Sequence, residues 1–193
     1  MATVREGNAT ALVVIDVQKD VVGNAWDRDG VVGRIATLVA RARTEDVPVV
    51  FIQHHDAEMP QGSEGWELVD ELVPGDGEPV IAKEYLDAFA GTTLSQVLAD
   101  LGSTHLVIAG AQTMACVRAT THRALAEGYD LTLVSDAHTT DDLEWGDVTL
   151  SARQIVDYTN LSLQFTTYPG QETRVVPHDA VSFSSLVGAQ EQH

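Results

Sequence analysis

The chain lacks a second cysteine. Its 193 residues hold one, Cys116, so no internal disulfide can form and a reducing compartment is expected. Positive charge is scarce as well. Eleven Lys and Arg (11) face 29 Asp and Glu, giving a formal net charge of −18. A chain of that sign repels phosphate backbones and anionic membrane surfaces, which argues against nucleic-acid and membrane partners. Long hydrophobic runs are missing too. "ALVVI" and "HLVIAG" fall far short of the ~20 apolar residues that span a bilayer. The opening "MATVREGNAT" carries no signal-peptide pattern. These absences lead us to expect a cytoplasmic protein. No internal repeat, low-complexity tract or linker divides the sequence, and its length suits one hydrophobic core. We expect a single domain over 1–193.

What is present is an alternation of buried strands and amphipathic helices. "ALVVID" (11–16) is a β-rich apolar run without polar alternation, the pattern of a strand covered on both faces. "VVGRIATLVARARTED" (31–46) has helical spacing, with Val32, Ile35, Leu38 and Val39 on one face. "VPVVFIQ" reads as a second strand and "PVIAK" as a third, separated by a long polar stretch over 54–78. A loop of that length inside a compact domain is often functional. "TTLSQVLADLG" reads as a helix stopped by Gly102. "HLVIAG" is a strand, "MACVRATTHRALAEGY" a helix, "DLTLVSD" a strand, and "DVTLSARQIVDYTNLSL" a helix broken near Asn160. The expected fold is α/β: three layers, α/β/α, around a mainly parallel sheet. In such sheets ligands bind at the carboxyl ends of strands.

Three of these strands end on, or lead into, reactive side chains. "LVVID" ends in Asp16, "PVIAK" ends in Lys83, and "HLVIAG" leads to Cys116. A thiol is a good nucleophile as thiolate, and two features favour that form here. If Thr113 caps the following helix, Cys116 lies in its first turn, where the helix dipole favours negative charge. Asp16 would supply a base and Lys83 a positive charge. Backbone N–H groups at the helix start could hold an oxyanion. Taken alone, a lone Cys is also an ordinary small core residue, and Asp or Lys after a strand is often a turn or solvated residue.

The motifs go further. The sequence resembles the isochorismatase-like cysteine hydrolases, a group with nicotinamidases, N-carbamoylsarcosine amidases and ureidoacrylate-type amidohydrolases. The resemblance rests on "ALVVIDVQKD", "AKEYLDAFAGTTLSQVL" and "GAQTMACVRATTHRALAEGYDLTLVSDAHTT", in that order over most of residues 10–140. It implies a six-stranded parallel sheet between helices and a triad of Asp16, Lys83 and Cys116. In that scheme Asp16 takes the thiol proton, the thiolate attacks an amide-like carbonyl, the amine leaves, and water releases the acyl group from the thioester. Lys83 holds the other two in their charged forms. The resemblance also implies a cis peptide at Ala111–Gln112, with backbone N–H groups at Gln112 and Cys116 forming the oxyanion hole. It further implies a symmetric homodimer or homotetramer.

Two departures narrow the reading. Metal-binding nicotinamidases carry Asp–x–His after the second strand and another His downstream. Here that place reads "QHHDAEMPQG", with His54, His55 and Asp56 adjacent, so we expect no metal and no cofactor. True isochorismatases cleave a vinyl ether without needing the Cys, whereas Cys116 is present, which favours a small amide, ureide or lactam as substrate. A vinyl-ether hydrolase, or a binding protein on the same fold, is the alternative. Trp26, His54, Tyr85, Phe89 and the Gln112 side chain are candidate substrate contacts. His138 and Thr140 are candidates for closing the loop beside the site.

Overall fold

The computed structural model describes residues 7–184; the outer ends of the expected 1–193 domain lie outside the described residues. Six strands form one sheet. They are β1 (Ala9–Ile15), β2 (Val49–His54), β3 (Val80–Lys83), β4 (Ser103–Ala111), β5 (Asp130–Thr139) and, at the far edge, a short strand near the C-terminus. Before that last strand comes a two-stranded antiparallel hairpin, β6 (Leu143–Trp145) and β7 (Val148–Leu150). The edge strand is therefore β8 (Thr173–Val176). The sheet order is β3-β2-β1-β4-β5-β8, and every neighbouring pair is parallel.

Helices cover both faces. On one face α2 (Arg28–Thr44) buries Val31, Val32, Ile35, Leu38 and Val39 against Leu12 and Val14 of β1 and Phe51 of β2. It follows a single turn, α1 (Lys19–Val22). On the other face lie α3 (Leu94–Asp100), α4 (Arg118–Ala126) and α5 (Ala152–Gln164). Their buried residues join Ala11, Val13 and Ile15 of β1 and Ile108 of β4 in a second apolar cluster, which includes Cys116. Successive side chains of β1 thus feed opposite cores, and that is why its sequence shows no polar alternation.

The expected 147–163 helix needs correction. Val148–Leu150 is β7, and Gly146 makes the hairpin turn with φ +59. The short β-branched run V-T-L suits a strand. Ser151 then starts α5 through a capping box: its side chain accepts from Gln154 N–H, and the Gln154 side chain answers the Ser151 N–H. The helix runs unbroken past Asn160 to Gln164. β8 and α1 had no strong signal, being four residues each.

One glycine is fixed by close approach. Gly110, near the end of β4, sits at φ +130, and a Cβ there would fall 2.0 Å from the Ile15 carbonyl oxygen. β1 and β4 can therefore close together immediately before Asp16 and Cys116.

Candidate active site

The three strand-end residues converge. Asp16 follows β1, Lys83 ends β3, and Cys116 sits in a π-helical turn, Thr113–Val117, that leads into α4. The Lys83 Nζ lies 2.7 Å from Asp16 Oδ2 and donates to Cys116 Sγ at 3.2 Å. All three are buried: Asp16 and Lys83 are 1% exposed and Cys116 7%. Asp16 and Cys116 also face one another closely enough that each perturbs the other's protonation. Lys83 meets Asp16 as a short ion pair. Asp16 adopts the left-handed backbone, φ 49. That conformation is tolerated by Asp more readily than by most side chains, and such positions gather at functional sites.

The electrostatics bear on the expected thiolate. Burial pushes the Cys116 thiol up to about 12, the negative Asp16 adds to the rise, and Lys83 opposes both. Burial also raises the Asp16 carboxyl above its ordinary value, against the pull of Lys83. Burial thus works against the preformed thiolate that a helix start and a lysine suggest. Loss of hydration outweighs the dipole because the dipole's effect is about 0.3–1 kcal/mol, while burial of a charge costs several.

Thr113 does not cap the helix. Gln112 occupies the N-cap position without a side-chain cap bond, and Thr113 Oγ1 pairs with His138 Nδ1 at 2.9 Å. His138 Nε2 in turn meets Asn160 Oδ1 at 3.0 Å, and Asn160 Nδ2 donates to the Ser135 carbonyl. His138 is fully buried, and that burial lowers its pKa to about 4. The His138–Asn160 pair thus braces the turn that carries Cys116. Asn160 was legible only as a possible helix break.

The Ala111–Gln112 peptide is cis. The Gln112 carbonyl accepts from the N–H groups of Ala115 and Val117, which closes the π-turn. Its side chain was expected to reach substrate, yet its polar atoms are taken by the chain itself. Nε2 donates to the Val21 carbonyl and to Asp141 Oδ2, and Oε1 accepts from Thr140 Oγ1 and Asp141 N–H. Thr140 accordingly belongs to this brace.

The aromatic candidates separate. Phe89 is buried in the apolar cluster that includes Cys116, its ring 5.9 Å from that of Tyr129. Tyr85 is exposed. Trp26 is partly exposed, and its backbone is tied to the end of β5 through the Thr140 carbonyl. His54 is in register with Lys83 and lies near Asp16. Gln18, which sequence reasoning did not single out as functional, is fully buried. It accepts from His54 N–H and donates to the carbonyls of His54 and Trp66. Its signal was the "DVQ" triplet after β1.

Among the described residues no three His, Cys, Asp or Glu side chains gather as they would around a metal ion. A cavity of about 470 Å³ opens between the π-turn, the hairpin and α5, lined by Met114, Arg118, Leu150, Ile155, Tyr158 and Leu163 among others. None of the three triad residues lines it. Among the described residues no helix is long and apolar enough to cross a membrane.

The structure thus joins a helix-covered parallel sheet to a buried cluster of Asp16, Lys83 and Cys116. The isochorismatase domain matches residues 10–158, and the chain belongs to the isochorismatase family of hydrolases. It is 34% identical over 181 residues to a streptothricin hydrolase of Streptomyces noursei, covering 88% of this chain and 69% of that protein. It is 27% identical over 154 residues to an N-carbamoylsarcosine amidase of Arthrobacter, covering 64% of this chain and 56% of the amidase. Among solved structures it is similar to an isochorismatase of Pseudomonas putida, with a TM-score of 0.82, 27% identity and 93% of each chain covered.

Proposed function

We propose that the chain is a metal-independent cysteine hydrolase that cleaves a C–N bond of a small amide, ureide or lactam through a thioester intermediate. The observation that carries this reading is the contact of Lys83 with both Asp16 and Cys116 in a buried site. Relatives named for streptothricin hydrolysis and N-carbamoylsarcosine amidase activity support an amide-type bond.

The chemistry follows from the protonation states. Burial raises the Cys116 thiol, so its proton is to leave as the sulfur attacks. The Asp16 carboxylate is the acceptor. Burial has raised its pKa, which makes it a stronger base than a solvated aspartate. Sulfur bonds to the carbonyl carbon, and the oxyanion falls to the backbone N–H groups of Gln112 and Cys116. Lys83 stays within reach of Asp16 and Cys116. When the tetrahedral species collapses, the C–N bond breaks and Asp16 returns its proton to the departing nitrogen. Water then attacks the thioester, giving one proton to Asp16. The C–S bond breaks, the acid leaves, and the proton returns to sulfur. A vinyl-ether hydrolysis would leave this thiol without work.

A panel of small amides, ureides, lactams and a vinyl ether, followed by release of ammonia, amine or enol product, tests the proposal. The expected result is turnover of a C–N substrate that disappears in Cys116→Ala. Turnover of the vinyl ether alone, undiminished in that variant, would overturn it.

A further inference from the structure

His54 ends β2, which lies in the sheet between β1, the Asp16 strand, and β3, the Lys83 strand. Residues two apart along a strand share a face. Val50 and Ile52 belong to the apolar cluster that includes Cys116, as does Ile81, two residues before Lys83. His54 and Lys83, which are register partners, therefore continue the Cys116 face beyond the apolar rows.

The His54 ring is held at one end. Its Nε2 lies 3.3 Å from Asp56 Oδ2. Asp56 is itself fixed, since its Oδ1 accepts the N–H groups of Glu58 at 2.9 Å and Met59 at 2.8 Å. Those two bonds hold the Asp56 carboxyl below its ordinary range, so it is an anion and can only accept. Nε2 must then carry the hydrogen, and in the neutral ring Nδ1 keeps its lone pair. That Nδ1 is buried and has no hydrogen-bond partner. The backbone beneath it is clamped at both ends by Gln18, at 2.7 Å to the His54 N–H and 2.8 Å to its carbonyl. A fixed, oriented and unused acceptor at the strand end next to Lys83 is unfavourable unless a ligand completes it.

We propose that His54 Nδ1 accepts a hydrogen bond from the substrate's N–H, selecting amides and ureides that carry hydrogen on nitrogen over esters and fully N-substituted amides. The proposal rests on the amide-hydrolase reading of the same site. Its logic is that of a pocket built to bond a polar group: an analogue lacking that group leaves a buried partner unpaired and is rejected strongly. Asp56 is a positioning residue, since it acts through the imidazole.

Histidine-selective 15N NMR of the Cys116→Ala protein tests this without turnover. The His54 ring is assigned by its loss in His54→Asn, or in His54→Gln should the first variant fold poorly. In the free protein the hydrogen is expected on Nε2, with Nδ1 unprotonated. Acetamide should move the Nδ1 resonance upfield, while N,N-dimethylacetamide and methyl acetate should leave it in place. A hydrogen on Nδ1, a doubly protonated ring at pH 7.5, no response to acetamide, or an equal response to dimethylacetamide would each overturn the proposal. Failure of the underlying amide-hydrolase reading would show elsewhere, as turnover surviving Cys116→Ala.

Discussion

At the scale of single residues, the meeting of Asp16, Lys83 and Cys116 was legible because three strands end on or lead into reactive side chains, and strand ends of a parallel sheet meet at one edge. The protonation state of Cys116 was not legible. It is set by a sum of burial and two neighbouring charges that exists only once the chain has folded. That sum makes a signed prediction. Asp16→Asn removes the carboxylate that raises the thiol while leaving Lys83, which lowers it. Alkylation of Cys116 by iodoacetamide at pH 8 should therefore speed up in Asp16→Asn, while amide turnover collapses for want of a base. Parallel loss of both would contradict the assigned roles. A second prediction concerns stability. Lys83→Met leaves the buried Asp16 without its counter-charge, which should cost about 3 kcal/mol in urea unfolding. Adding Asp16→Asn to Lys83→Met should recover most of that loss, because a buried ion pair contributes little net stability beyond its own mutual compensation. Additive losses in the double variant would contradict this.

At the scale of elements, the sequence pattern located the main strands and helices but misplaced the start of α5 by reading through a hairpin. The helical period continued backwards into V-T-L, and only the Ser151–Gln154 capping box separates the two. Two buried histidines tie elements together in a way no single-element pattern reveals. His105 in β4 bridges Thr10 of β1 and Thr132 of β5. His138 in β5 bridges the π-turn and α5. Burial lowers each from the ordinary 6.5 to about 4. The sign is fixed by linkage: a histidine whose folded pKa is depressed contributes stability above its unfolded pKa and loses it as pH falls. Unfolded chains bind protons below about pH 6.5 that the folded protein refuses down to about 4, worth about 3 kcal/mol per histidine. Urea midpoints should fall from pH 7 to pH 4.5. The variant carrying His105→Gln and His138→Gln should be less stable at pH 7 yet show a flatter pH dependence. An unchanged slope would remove these histidines from the account.

At the scale of the whole molecule, the three-layer architecture was readable from uninterrupted apolar strands, whereas the edge strand β8 was too short to register. The surface offers one more expectation. Tyr158, Leu161 and Phe165 are exposed along α5, and Trp145, Val148 and Leu150 are exposed on the neighbouring hairpin. Apolar residues grouped in this way are costly in water. Together with the family resemblance they lead us to expect a symmetric homodimer or homotetramer. Light scattering at micromolar concentration should give a multiple of 20.8 kDa, and a monomer mass would count against it. The central claim is that Cys116 becomes acylated during turnover. Rapid quenching of the wild-type protein with its best amide substrate, followed by intact and peptide mass analysis, tests this most directly. The account predicts one acyl adduct, confined to the peptide bearing Cys116, released by hydroxylamine and absent in Cys116→Ala. Steady hydrolysis with no adduct, at a rate unchanged in Cys116→Ala, would contradict it.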